Sequence, residues 1–125
     1  MKKYILLPAL IFCGIIFLQS CKKEGHDTKY ITLDETIISG STYSLDPAAY
    51  GDADDLASIT TQAAHYDVSQ ISPDAVSGKN MYHFSIITKG QDKETVVITL
   101  NENHGGRGGD CNKAVAVITV NFTVL

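Results

Sequence analysis

KAVAVITVNFTVL, residues 113–125, carries the most regular pattern in the chain. Apolar side chains occupy every second position, and polar side chains fall between them. The apolar set is Ala116, Ile118, Val120, Phe122 and Val124, and the polar set is Thr119, Asn121 and Thr123. A repeat of two is the period at which side chains alternate between the two faces of a β-strand. The stretch therefore predicts a strand that buries one face in a core.

Two earlier stretches, residues 81–87 (MYHFSII) and residues 94–100 (ETVVITL), alternate in the same way. The inward-facing residues that they predict are Tyr82, Phe84 and Ile86 in the first stretch and Val96, Ile98 and Leu100 in the second. A long glycine-rich loop, residues 101–112, separates the second stretch from the final one. Two alternating strands joined by a loop predict an antiparallel hairpin.

The strands nearer the N-terminus are shorter and less regular. They are predicted at residues 30–33, 36–38, 42–45 and 56–61, with loops at 46–55 and 69–80. Asp34 and Glu35 interrupt the first apolar pattern and separate the first two strands. Residues 62–66 fit either a continuation of the strand before them or a helical turn. Six to eight short strands in about 100 residues predict an all-β sandwich with Greek-key connections.

Residues 90–125 resemble the last hairpin of bacterial immunoglobulin-like and cadherin-like domains. The resemblance is carried by Gly90-Gln91-Asp92, the strand at 96–100, the glycine-rich loop and the final Val/Ile/Thr strand. It implies a single antiparallel β-sandwich of the immunoglobulin-like class over residues 29–125. Sandwiches of this class have many functions, so the resemblance says little about activity.

The first twenty residues have the layout of a secretory signal peptide. Lys2 and Lys3 are followed by an apolar run over residues 4–18, which is shorter than a membrane-spanning helix requires. The run ends in Leu18-Gln19-Ser20-Cys21, which resembles the lipobox of bacterial lipoproteins. The resemblance implies that Cys21 is the first mature residue and carries fatty acyl chains such as palmitate. An ordinary signal peptide with a chance cysteine is the alternative.

The lipobox divides the chain into a signal peptide at 1–20, a lipidated tether at 21–28 and a sandwich at 29–125. Lys22-Lys23-Glu24 is similar to the export signal of lipoproteins of the Bacteroidetes type. That similarity implies a lipid anchor in the outer membrane with the domain exposed at the cell surface. A plain solvated tether, with the membrane leaflet left open, is the alternative.

Charge and cysteine content narrow the choice of partners. Loss of Lys2 and Lys3 with the signal peptide would change the formal net charge from −4 to −6. An acidic chain lacks the clustered cations that nucleic-acid phosphates require, so no nucleic acid is expected. Cys111 would be the one cysteine left unlipidated. It predicts a free thiol or an intermolecular bridge, and the oligomeric state stays open.

Asp52, Asp54 and Asp55 form an acidic cluster in the 46–55 loop, near Asp46. Ca²⁺ binds several oxygen ligands that converge from a loop, and cadherin-like domains often bind it. The cluster lacks the later glutamate and the central glycine of an EF-hand loop, so a solvated acidic loop is the preferred interpretation.

The 101–112 loop contains His104, Arg107, Asp110 and Cys111. It has no Gly-Lys-Ser/Thr of a P-loop. It has no Arg-Gly-Asp motif either, because Gly108-Gly109 separates Arg107 from Asp110. His104 with Cys111 offers two zinc ligands or a nucleophile and a base, but two ligands do not close a zinc site. Loops at the ends of a rigid scaffold are common binding sites.

The sequence thus predicts a lipid-anchored protein of the cell envelope that is not an enzyme. Its role is a binding or structural module that contacts protein or glycan through the loops at 46–55 and 101–112. No cofactor, no metal and no catalytic residue are expected. The alternative is a metal-binding or enzymatic protein that uses His104, Asp110 and Cys111.

Overall fold

A computed structural model describes residues 27–103 and 113–125. These residues form seven strands and one short 3₁₀ helix. The strands are β1 (Lys29–Ile37), β2 (Thr42–Leu45), β3 (Leu56–Thr61), β4 (Val68–Pro73), β5 (Asn80–Ser85), β6 (Asp92–Asn101) and β7 (Ala114–Val124), and the helix is Pro47–Tyr50. The predicted all-β fold is confirmed. Within the same residues, no helix is long and apolar enough to cross a membrane.

The strands form two sheets, ordered β1-β7-β6-β3 and β2-β5-β4. In the letters used for immunoglobulin domains, β7-β6-β3 corresponds to G-F-C and β2-β5-β4 to B-E-D. Every pairing is antiparallel except that of β1 with β7, which is parallel and runs from Lys29 beside Ala116 to Ile37 beside Val124. The sandwich is therefore immunoglobulin-like, with its first strand added to the edge next to the last.

The core lies between the sheets and contains every inward-facing residue that the sequence predicts. Those on β5, β6 and β7, together with Ile86 just after β5, are at most 3% exposed. Phe84 and Phe122 stack with ring centroids 4.1 Å apart, and the edge of Tyr43 meets Phe122 at 5.1 Å. The aromatic rings of both sheets thus join at the centre of the sandwich.

The predicted break at Asp34 and Glu35 is wrong, because β1 is continuous through both residues. Asp34 faces outward and accepts a hydrogen bond from the Asn121 amide at 2.9 Å. Glu35 lies on the inward side and accepts one from the Tyr43 hydroxyl at 3.3 Å. Since both carboxylates have partners, the strand continues without a turn.

The predicted loop at 69–80 is also partly wrong, because β4 occupies its first half. β4 pairs with β5 from Val68 beside Ser85 to Pro73 beside Asn80. Its inward side carries a serine, Ser69, so the strand lacks the apolar alternation that identifies β5, β6 and β7. Residues 62–66 are neither strand nor helix and form an irregular connection to β4.

Candidate functional site

The connections between strands gather at two opposite ends of the sandwich. We call the end where β1 starts the N-terminal end; it holds the connections 46–55 and 74–79 and the two ends, Glu102 and Lys113, of the connection between β6 and β7. The other end, which we call the distal end, holds the connections 38–41, 62–67 and 86–91. The register fixes this division, because Leu56 lies beside Asn101, Asn101 beside Ala114, and Lys29 beside Ala116.

The two loops predicted to bind a ligand therefore start from the same end of the molecule. The amide of Glu102 donates to the carbonyl of Lys113 at 3.1 Å and closes the base of the second loop. The residues singled out within that loop, His104, Arg107, Asp110 and Cys111, lie outside the described residues, as does Cys21.

The acidic cluster of the first loop is built like a hydrogen-bonded turn. The carboxylates of Asp52, Asp54 and Asp55 each place an oxygen within 4.8 Å of the others. Asp55 accepts a hydrogen bond from the Asp52 amide at 2.7 Å. Asp46 accepts one from the Ala48 amide at 3.0 Å and caps the 3₁₀ helix. The Asp46 and Asp55 carboxylates thus hold the backbone of the loop.

At the distal end, side chains of serine and aspartate tie the three connections together. The Ser39 hydroxyl donates to the Thr88 carbonyl at 3.0 Å and accepts from the Thr88 amide at 2.9 Å. The Asp67 carboxylate accepts from the Ile87 amide at 2.6 Å. This bonding makes one continuous surface from segments that lie far apart in the sequence.

Large apolar side chains are exposed on this surface. Ile38 is 70% exposed, Ile87 75%, Leu125 54% and Tyr66 45%. We call these four residues the distal apolar patch. A groove of about 380 Å³ lies beside it and is lined by His65, Tyr66, Asp67, Ile86, Ile87, Thr88, Lys89 and Asp92. All four lie in or next to the distal connections, while Tyr30, Leu56 and Val76 are exposed toward the N-terminal end.

A buried carboxylate lies beneath the 62–67 connection. The side chain of Glu94 on β6 is 3% exposed. It accepts hydrogen bonds from the amides of Ala64 at 2.7 Å and His65 at 3.2 Å, and its Oε1 lies 2.9 Å from His65 Nδ1. Glu94 thereby fixes the connection to β6, and Asp92 lies close to both side chains.

This cluster carries no local sequence motif, although the sequence holds one signal for it. Glu94 lies two residues before Val96 and is in phase with the inward-facing set of β6. A charged residue in that phase is buried only with a partner. The partner, His65, lies 29 residues away, so no local pattern pointed to it.

A second buried polar group joins β4, β5 and the 62–67 connection. The Tyr82 hydroxyl lies 2.9 Å from the Ser69 hydroxyl, which in turn contacts the Gln62 side chain. Burial raises the pKa of Tyr82 to about 12, against a smaller opposite effect of the bond to Ser69. Burial also raises the pKa of Tyr43, and the nearby Glu35 carboxylate adds to that increase. Both phenols are neutral at physiological pH and serve packing.

Comparison with known proteins adds little on function. No family model matches the chain, and no curated protein is similar to it in sequence. Among solved structures, the chain is similar to a 2,6-sialyltransferase of Photobacterium sp. JT-ISH-224 determined with CMP and lactose. The TM-score is 0.45 at 13% sequence identity, over 79% of this chain and 18% of that one.

Proposed function

We propose that this protein is a lipid-anchored module of the cell envelope that binds a protein partner through its distal end. In this proposal, Cys21 carries the acyl chains and residues 21–28 form the tether to the outer membrane. Two acyl chains suffice for stable anchoring, because each buried CH₂ group contributes about 0.8 kcal/mol. The module performs no chemistry of its own.

The observation that carries the proposal is the parallel pairing of β1 with β7. It places Lys29 beside Ala116, at the end of the sandwich opposite the distal apolar patch. The Thr28 hydroxyl donates to the Ala114 carbonyl at 2.8 Å and holds the entering chain at that end. A tether attached there keeps the N-terminal end near the membrane and leaves the distal end available to partners.

Simple lengths support this orientation. The tether over residues 21–28 spans at most about 29 Å when it is fully extended. β7 has 11 residues, and a strand of that length is about 36 Å long. The extended tether is thus shorter than the sandwich, so the domain cannot turn over to bring its distal end to the membrane. This assigns binding to a different end from the two loops, 46–55 and 101–112, that the sequence analysis favoured.

The distal apolar patch favours protein over glycan as the partner. Three of its four members are aliphatic, and such side chains gain free energy when they pack against an apolar surface. Sugar hydroxyls would remain without hydrogen bonds against isoleucine and leucine side chains. The groove beside the patch adds Asp67, Lys89 and Asp92 as a polar rim, which is the usual layout of protein interfaces.

Site-specific photo-crosslinking in cells tests the proposal. A photoreactive amino acid replaces Ile87 at the distal end or, as the matched control, Val76 at the N-terminal end, which is 96% exposed. We expect a discrete protein adduct from position 87 that is lost when Ile38→Asp is added. Adducts from position 76 alone would return binding to the loops of the N-terminal end. No adduct at either position would contradict a protein-binding role.

A further inference from the structure

We propose that His65, Asp92 and Glu94 form a zinc-binding site at the distal end. Each residue offers one ligand atom, and the three atoms lie within 4.8 Å of one another. The proposal depends neither on the lipid anchor nor on a protein partner, although His65 and Asp92 also line the groove beside the distal apolar patch.

Two separate elements supply the ligands. Asp92 and Glu94 lie two residues apart on β6, so their side chains leave the strand on the same face. His65 comes from the 62–67 connection, which Glu94 holds in place through the amides of Ala64 and His65. The backbone hydrogen bonds thus bring the imidazole to the carboxylates before any metal binds.

The electrostatics of the cluster favour a cation. Asp92 and Glu94 bring two carboxylates together where Glu94 is almost fully buried. Within the described residues, no lysine or arginine side-chain nitrogen lies within 4.0 Å of either carboxylate, although Asp92 Oδ1 accepts a hydrogen bond from the Lys93 backbone amide at 2.9 Å. Among those residues His65 alone forms an ion pair with Glu94, and only in its protonated form. A divalent ion would compensate both negative charges.

The ligand types favour zinc over calcium. One imidazole and two carboxylates suit Zn²⁺, whereas Ca²⁺ takes oxygen ligands alone. Tetrahedral zinc with bonds of about 2.1 Å holds its ligand atoms about 3.4 Å apart. The separation of 2.9 Å between His65 Nδ1 and Glu94 Oε1 needs only a small adjustment to meet that value.

Two consequences follow for a bound ion. The 380 Å³ groove is lined by His65 and Asp92, so a fourth position would open toward it and hold a water molecule. Zinc at His65 Nδ1 would also take the position that now faces Glu94 Oε1, so the imidazole proton would lie on Nε2.

Calorimetric titration with zinc chloride tests the site. The full chain, purified from membranes in detergent, is first stripped with a chelator. We expect one zinc ion per chain, and His65→Gln or Asp92→Asn should each weaken binding by at least about tenfold. Asp52→Asn, in the acidic cluster at the N-terminal end, should leave the affinity unchanged. Calcium chloride should give no binding at the distal site.

The same variants define the contrary result. An absence of zinc binding, or equal affinity in His65→Gln, Asp92→Asn and the unmodified chain, would overturn the proposal. Binding at another place, such as His104 with Cys111, would give that second pattern. His65 is 73% exposed on its side chain, so His65→Gln should stay folded. Zinc should shift the amide resonances of Ala64 and His65 in the unmodified chain and leave them in place in His65→Gln.

Discussion

Glu94 shows how one residue can hold a connection that has no regular structure of its own. Its carboxylate accepts two backbone hydrogen bonds from the 62–67 connection and contacts the His65 ring. A buried carboxylate is tolerated only because these donors replace the water that it loses. The conformation of the connection therefore depends on a charge that lies on another strand.

Glu94→Gln tests this dependence in the chelator-treated protein. An amide has one accepting oxygen where the carboxylate has two, so one backbone donor loses its partner. We expect the free energy of unfolding to fall by about 1–3 kcal/mol. Hydrogen exchange at the amides of Ala64 and His65 should become faster. Lys93→Gln, on the exposed face of the same strand, should change stability by less than about 0.5 kcal/mol. Unchanged exchange at both amides would contradict the role assigned to Glu94.

Tyr82 should make the protein less stable at alkaline pH. Burial raises its pKa to about 12 from the ordinary value of 10.0, because the folded state favours the neutral phenol. A group whose pKa is raised on folding contributes fully below its unfolded pKa and loses that contribution as the pH rises to the folded one. We therefore expect the free energy of unfolding to decline between about pH 10 and pH 12.

The variant Tyr82→Phe isolates this effect in denaturant titrations across that pH range. At pH 8 the lost hydroxyl should lower the free energy of unfolding by about 1 kcal/mol, because Ser69 loses one hydrogen-bond partner. Above pH 10, the free energy of unfolding of Tyr82→Phe should fall less steeply with pH than that of the unmodified chain. Adding Tyr43→Phe should flatten it further, since burial raises the pKa of Tyr43 as well. An equally steep decline in the double variant would show that other groups cause it.

At the scale of the elements, the regular strands could be predicted and the irregular ones could not. β6 and β7 place large apolar residues at every second position, so their faces follow from the sequence alone. β4 places Ser69 inward, and its partner Tyr82 lies on another strand. β1 passes through Asp34 and Glu35, whose partners Asn121 and Tyr43 also lie elsewhere. A strand whose polar residues are paired with residues on other strands cannot be recognised from its own sequence pattern.

The same difference between local and long-range contacts decides which parts of the candidate site could be predicted. The loops at 46–55 and 101–112 were recognised from their glycines and acids, which are local signals. Their place beside the start of β1 depends on the parallel pairing of β1 with β7, which no local pattern reveals. The cluster of His65 with Glu94 depends in turn on the packing of the 62–67 connection over β6.

The hairpin of β6 and β7 should supply much of the stability of the sandwich. Phe122 is 1% exposed and stacks on Phe84 across the two sheets. We expect Phe122→Ala to lower the free energy of unfolding by about 3–5 kcal/mol, because it leaves a cavity at the centre of the core. Thr123→Ala, on the opposite face of β7, should cost less than about 0.5 kcal/mol. Similar values for the two variants in urea titrations would contradict the assigned faces.

At the scale of the whole molecule, the two ends of the sandwich have different chemistry. The N-terminal end holds the acidic cluster Asp52, Asp54 and Asp55, the exposed side chains of Leu56 and Val76, and the start of β1. The distal end holds the apolar patch, the groove and the proposed zinc site. If residues 21–28 are tied to a membrane, these two ends face opposite environments. The N-terminal end would then face the membrane, and the distal end would face the protein partner.

Depth-dependent quenching in membranes tests this orientation most directly. The acylated full chain, in a Cys111→Ser background, carries a single fluorophore on a cysteine at position 76 or at position 87. Each protein is placed in vesicles with nitroxide-headgroup lipids, and vesicles without nitroxide serve as the control. We expect vesicle association through Cys21 and clearly stronger quenching at position 76 than at position 87. Equal quenching at both positions, stronger quenching at position 87, or failure to associate with vesicles would contradict it.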